Sequence, residues 1–186
     1  MFRQPLLALL RAYAPVSLDE QRKRDEIIAF VEAHTECFRR ELLVGHITGS
    51  AWVVNEKHNK VLLTHHRKLD KWLQLGGHCD GDNDVLRVAL REAIEESGVF
   101  DIMPLSADIF DLDIHLIPER RTATTFEPEH FHYDARFLLQ ADDAVPLRIT
   151  SESKDLRWVR LEDVHNLTDE ESMLRMVEKT KRIAIP

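Results

Sequence analysis

Apolar positions along the chain change spacing several times, and each change predicts an element. Leu6, Leu7, Leu10 and Tyr13 recur at helical intervals, which predicts a short amphipathic helix near the start. Ser17-Leu-Asp-Glu20 then reads as a capping box, followed by an apolar stripe of Ile27, Ile28, Phe30 and Val31. The middle of the chain shifts towards a period of two. Ser50–Val54 and Val61–Thr64 read as strands around an Asn/Lys/His turn, and Phe110–Leu116 and Phe131–Phe137 alternate apolar with polar like half-buried strands. Between these pairs Leu86, Leu90, Ala93 and Ile94 share one face of a helix. Asp82, Asn83 and Asp84 offer cap chemistry after the Asp80-Gly81 turn, and Gly98 stops the helix. Asp155–Val159 is a further strand leading into a short helix from Leu161. Thr168-Asp-Glu-Glu171 repeats the capping signal ahead of Met173, Leu174 and Val177, so a last helix is expected. Strands on both sides of a central helix predict an α/β (α+β) fold, a mixed sheet sandwiched by helices, with further helices at both ends.

With 186 residues, 44% hydrophobic and 31% charged, the chain fits one core-forming domain. Residues 1–40 read as a helical extension packed on a domain formed by residues 41–186. The opening helix does not read as a signal peptide, because Arg11 interrupts its brief apolar run. No stretch approaches the roughly 20 apolar residues of a membrane span. A net charge of −8 argues against a broad nucleic-acid surface. It leaves phosphate substrates open, since a bound divalent cation can reverse the local sign. Cys37 and Cys79 lack metal-ligand spacing and suggest no disulfide framework, so a reducing cytoplasm is expected.

The densest chemistry lies in Arg91-Glu-Ala-Ile-Glu-Glu-Ser-Gly-Val99. On a helix Glu92, Glu95 and Glu96 occupy an arc about 100° wide, apart from the apolar face. Carboxylates so close repel one another unless a cation intervenes, and hard oxygen donors suit Mg²⁺ or Mn²⁺. Taken alone the segment also fits a solvated helix face, with Arg87 and Arg91 offsetting the glutamates.

The residues upstream change that balance. Gly77, Arg91, Glu92, Glu95, Glu96, Gly98 and Val99 stand at the spacing Gly-x5-Glu-x7-Arg-Glu-U-x-Glu-Glu-x-Gly-U, with U bulky and apolar, and the segment from 77 to 99 thus resembles the Nudix box. Three positions depart from the family's habit: Asn83 replaces the first Glu, Ala93 is a small U, and Leu75 stands where proline is often found. The late Trp158-Val-Arg-Leu-Glu-Asp-Val164 fits the same fold. The resemblance implies a Nudix-like α/β/α sandwich and Mg²⁺- or Mn²⁺-dependent hydrolysis of a small nucleoside diphosphate linked to another group. It implies Gly76 (through its carbonyl), Glu92, Glu95 and Glu96 as metal ligands, and Arg91 as the residue that orients a glutamate. The general base is left open among Glu95, Glu127, Glu129 and Glu152. Asn83 is expected to weaken the bracing of Arg91 while metal binding is kept. A homodimer is an assembly often found in the family. Two other classes share the fold: an isopentenyl-diphosphate-isomerase-like enzyme, for which Cys79 is the residue to examine, and a non-catalytic nucleotide-binding domain.

A second polar stretch, Glu129–Arg136, places His130, His132, Asp134 and Arg136 on one face of a strand and Phe131, Tyr133, Ala135 and Phe137 on the other. The aromatic face is expected in the core. The polar face reads either as solvated sheet surface or as part of the site, with Asp134 assisting the metal, Arg136 on phosphate, His132 among the substrate-binding residues with them, and His115 joining from its own strand. A dedicated zinc site is not favoured by these histidines, because no ligand set has structural-zinc spacing. Arg120 and Arg121 lie in the long segment Pro118–Glu129 and are candidates for phosphate recognition, with plain surface charge as the alternative. Trp72 fits core packing better than stacking on a base.

Overall fold

A computed structural model describes residues 2–121 and 126–183. Helix α1 (Gln4–Ala12) begins with a proline in its first turn, and α2 (Leu18–Ala33) is capped by the Ser17 hydroxyl, which accepts from the Glu20 amide at 3.1 Å. Glu20 does not complete the capping box. Its carboxylate instead accepts from the Tyr13 hydroxyl at 2.6 Å and the Val16 amide at 3.3 Å. Leu6, Leu7 and Leu10 of α1 and Ile27, Phe30 and Val31 of α2 enter the same core as Ile47, Ala51 and Val53 of the sheet.

That sheet is built from β1 (Gly45–Asn55), β2 (Lys60–His66), β3 (Lys71–Leu73), β4 (Leu75–His78), β5 (Met103–Pro104), β6 (Asp111–Ile117), β9 (His130–Ala141) and β10 (Ser153–Arg160). A separate hairpin, β7 (Arg120–Arg121) and β8 (Phe126–Glu127), occupies part of the segment expected to be a long loop, and residues 122–125 lie outside the described residues. Strand β1 is central and buried along its whole length. It runs parallel to β9 from Gly45↔Phe131 to Asn55↔Ala141 and antiparallel to β4 from Thr48↔His78 to Ala51↔Leu75. The remaining pairings are antiparallel, so the sheet is mixed. Helices α1, α2 and α3 (Val85–Ser97) cover one face. A 3-10 turn (Leu161–Asn166) and α4 (Glu171–Lys181) cover the other, over Trp52, Val54, Leu63 and Leu138. The expected α/β/α sandwich is observed.

Of the three cap candidates before α3, Asp84 acts, accepting from the Arg87 amide at 3.1 Å. Asp82 holds the Arg87 guanidinium at 2.6 and 3.0 Å, and Asn83 donates to the Phe2 carbonyl at 2.7 Å. The deepest face of α3 is Val85, Val88, Ala89 and Ala93, whereas Leu86, Leu90 and Ile94 are partly buried around it. The offset has a steric cause. A Cβ on Gly49 of β1 would sit 2.7 Å from the Val85 carbonyl oxygen and 3.2 Å from the Ala89 nitrogen, so the helix backbone rests directly on the strand. Gly49→Ala is therefore expected to lower stability by about 1–3 kcal/mol through overpacking, read as a fall in the urea midpoint. Helix α4 starts later than its capping signal. The Thr168 amide still bonds back to the Val164 carbonyl of the 3-10 turn at 3.2 Å, and the Thr168 hydroxyl accepts from the Glu170 amide at 3.3 Å.

The polar faces of β6 and β9 are neither solvated nor uniformly open. Arg136 donates to Asp134 at 2.8 Å and Asp113 at 3.1 Å, and lies 3.5 Å from Asp111. Arg175 and Lys179 of α4 reach Asp111 as well, and Lys179 reaches Glu20 at 3.0 Å. Conversely, Phe131 on the face expected in the core is half exposed, because only Ala135 and Phe137 lie deep among that face's residues. Alternation located the strand but not which side the helices cover.

Candidate active site

Helix α3 and strand β4 meet at the paired glycines. Glu96 accepts from the Gly76 amide at 3.0 Å, and Glu92 lies so close to Gly77 that a Cβ there would fall 2.5 Å from its Oε2. Arg91 donates to Glu92 Oε1 at 2.7 Å and to the His78 carbonyl at 3.2 Å, and approaches Glu95 at 3.9 Å. Asn83 takes no part, so Arg91 is braced by its own helix and by β4. Glu95 is exposed, whereas Glu92 and Glu96 face inward.

Burial pushes the Glu96 carboxyl up to about 8, against the Gly76 amide, and the neighbouring charges of Glu92, Glu152 and Glu95 add to the rise. Glu92 is also raised by burial, and Arg91 only partly offsets it. Two inward carboxylates with a third acid nearby form an oxygen-donor set short of positive charge, which fits a hard divalent cation. Gly77→Ala is expected to displace Glu92 and cut turnover by roughly 10–100-fold. Its thermal midpoint should change little, because the obstructing atom ends a flexible side chain. A variant that folds and keeps full turnover would remove Glu92 from the site.

These groups line a cleft of about 590 Å³ that also contains Thr48, Ser50, Gln74, His132, Asp134 and Glu152. Lys68 and Arg120 supply positive charge around it, whereas Arg40, also at its wall, is paired with Asp80, its Nε donating at 2.6 Å. Of the residues expected on phosphate, Arg120 lines the cleft, while Arg121 lies over the Phe126 ring at 4.4 Å and beside Glu119 at 3.4 Å. His132 and Asp134 reach the cleft, and Asp134 accepts from the Thr48 and Ser50 hydroxyls, each at 2.8 Å. Arg136 does not line it; with 3% of its surface exposed, its guanidinium faces three carboxylates. Glu127 and Glu152 line the cleft and Glu129 does not. Trp72 packs in the second core, with the His65 ring stacked on one side and the Arg157 guanidinium 4.3 Å away. Cys79 is buried away from the cleft, and burial raises its thiol far above the usual range, which suits no proton transfer to a substrate there.

Sequence reasoning did not single out Lys68, Arg40 or His46. Lys68 and Arg40 enter the cleft from a turn and from the segment before β1, and neither carries a local signal. His46 faces His132 only through the parallel β1–β9 register, which joins segments far apart in the chain.

The NUDIX domain family model matches residues 46–180. No curated protein matches the sequence. Among solved structures, a Nudix hydrolase from M. smegmatis, RenU, superposes with a TM-score of 0.54 at 18% identity, over 76% of this chain and 90% of its own. The E. coli dihydroneopterin triphosphate pyrophosphohydrolase gives 0.54 at 15%, over 72% and 92%, and a C. elegans Ap4A hydrolase gives 0.53 at 15%, over 73% and 94%. These structures share the fold, and the family match spans most of the chain, including the paired glycines and the glutamate helix. The chain belongs to the Nudix hydrolase family, whose chemistry is the hydrolysis of pyrophosphate bonds.

Proposed function

We propose that this enzyme hydrolyses the diphosphate of a small nucleoside diphosphate derivative and depends on Mg²⁺ or Mn²⁺. The observation that carries the reading is the convergence of Glu92 and Glu96 on the Gly76–Gly77 backbone at the wall of the cleft. Glu92, Glu96, the more exposed Glu95 and the Gly76 carbonyl would hold the ion. When bound, a divalent ion neutralises diphosphate charge and makes water a better nucleophile. Arg91 keeps Glu92 in place through a charge-assisted hydrogen bond, and its second bond to the His78 carbonyl ties the helix to β4. Arg120 and Lys68, which also line the cleft, would bind phosphate oxygens. Glu152 is the preferred general base among the four candidates, because it lines the cleft and acts electrostatically on both inward glutamates.

A panel of nucleoside diphosphate derivatives, incubated with Mg²⁺ or Mn²⁺ and read by product mass, tests this reading. Cleavage of at least one member into two phosphate-bearing products is expected, and a chelator should stop it. Tight binding without turnover across a broad panel would instead support a non-catalytic domain.

A further inference from the structure

Near the cleft, five imidazoles crowd onto adjacent strands. His46 of β1 stands opposite His132 of β9, which stands opposite His115 of β6, while His130 and His78 flank them. The ring centroids of His46, His130 and His132 lie 4.7–5.2 Å apart. One ring nitrogen from each comes within 4.8 Å of the other two. His78 and His115 border the trio, each with its ring just over 5 Å from His132.

Two details separate this cluster from ordinary buried histidines. His130 Nδ1 lies 2.8 Å from the Pro128 carbonyl, so it carries the proton, and its Nε2 lone pair accepts from His132 Nε2, 3.3 Å away; a bound ion would move that proton to His132 Nδ1. Fixing one imidazole nitrogen by a backbone carbonyl is the usual way a metal-ligating histidine is oriented. His46 supplies the second detail. It is 2% exposed, and neither of its ring nitrogens has a hydrogen-bond partner. The nearby Leu42 carbonyl favours a charged ring but lies outside hydrogen-bonding geometry and accepts from the Gly45 amide. A buried imidazole without any partner is costly, and a ligand for its lone pair would remove that cost.

We infer that His46, His130 and His132 form a second metal site, separate from the glutamate site, that binds a Zn²⁺-class divalent ion. Imidazole donors select such ions over Mg²⁺, which prefers oxygen. At Zn–N distances of about 2.0–2.1 Å, two ligands of a tetrahedral ion sit about 3.3 Å apart, the spacing already present between His130 and His132. The His46 nitrogen lies within 4.8 Å of both and has to move closer when the ion binds. Three protein ligands leave a fourth position for water or a substrate oxygen. That position opens towards the cleft, since His132 lines it while His46 and His130 lie behind. Linear spacing did not reveal the set, because His46 joins the other two only through strand pairing. The inference is independent of the proposed substrate.

The test uses the full chain, stripped of metal with a chelator and titrated with ZnCl₂ in excess Mg²⁺, which keeps the glutamates occupied. About one tightly bound Zn²⁺ per chain is expected. His46→Gln and His130→Gln should each weaken binding by at least about 10–100-fold, and Glu96→Gln should leave it unchanged. Co²⁺ in place of Zn²⁺ should give a visible absorption band that His46→Gln removes. Circular dichroism of each metal-free variant verifies folding, and His130→Gln carries the test if the buried His46→Gln does not fold. No saturable Zn²⁺ binding by the parent chain would overturn the inference. So would binding that survives both histidine substitutions, or binding lost with Glu96→Gln.

Discussion

Glu96→Gln is expected to reduce turnover by on the order of 10³-fold, about 4 kcal/mol of transition-state stabilisation, with the fold intact. The substitution isolates charge from shape. Glutamine keeps the length of the side chain and an oxygen able to accept from the Gly76 amide, which Glu96 meets at 3.0 Å. It removes the negative charge that would make Glu96 a strong ligand for a divalent ion. Stability should hold or rise slightly, because the carboxylate is inward-facing and crowded by Glu92, Glu95 and Glu152, which is why its pKa is pushed up to about 8. Steady-state kinetics across a Mg²⁺ titration, together with a thermal melt, would check both parts. Turnover within a few fold of the parent at saturating Mg²⁺ would remove Glu96 from the catalytic site.

Arg136→Met is expected to produce the largest loss of stability, about 3–5 kcal/mol, a large share of the 5–15 kcal/mol that holds a typical domain together. Methionine fills much of the volume but leaves Asp134, Asp113 and Asp111 without the guanidinium that faces all three. Asp134 and Asp111 are almost fully buried, so water cannot replace the lost donor cheaply. Arg175, Lys179 and Lys23 continue to neutralise Asp111 and Asp113, whereas Asp134 keeps only neutral donors: Thr48, Ser50 and Gln74. Urea denaturation gives the magnitude. The same variant separates two roles for Arg136. A buried structural arginine predicts unfolding at lower denaturant, whereas a phosphate-binding arginine predicts an unchanged midpoint and a raised KM.

The parts of the site that could be read from sequence share a property: their residues are close in the chain. Gly77 and the run from Arg91 to Val99 meet through one loop and three turns of helix, so their spacing alone carries the geometry. The same holds for the Ser17 cap and the Gly98 stop of α3, whose left-handed backbone lets its amide bond to the Ile94 carbonyl at 2.8 Å. What remained hidden depends on strand register and on which face the helices cover. Period-two alternation placed His132, Asp134 and Arg136 on one side of β9, but it could not say that α4 brings Arg175 and Lys179 across to that side. Sequence alone therefore leaves Arg136 as a candidate for phosphate or for a solvated sheet face. The deep face of α3 was displaced from the larger residues for a similar reason, since the close approach allowed by Gly49 favours Val88, Ala89 and Ala93.

In the proposed reaction, water attacks phosphorus in a diphosphate held in the glutamate-lined cleft. Turnover of a cleaved substrate in oxygen-18 water, with products weighed, tests it most directly. Two products are expected whose masses together equal substrate plus one labelled water, with the label on a phosphoryl oxygen and no reaction without Mg²⁺ or Mn²⁺. A product of unchanged mass, as isomerisation would give, or a label absent from every phosphoryl group, would contradict it.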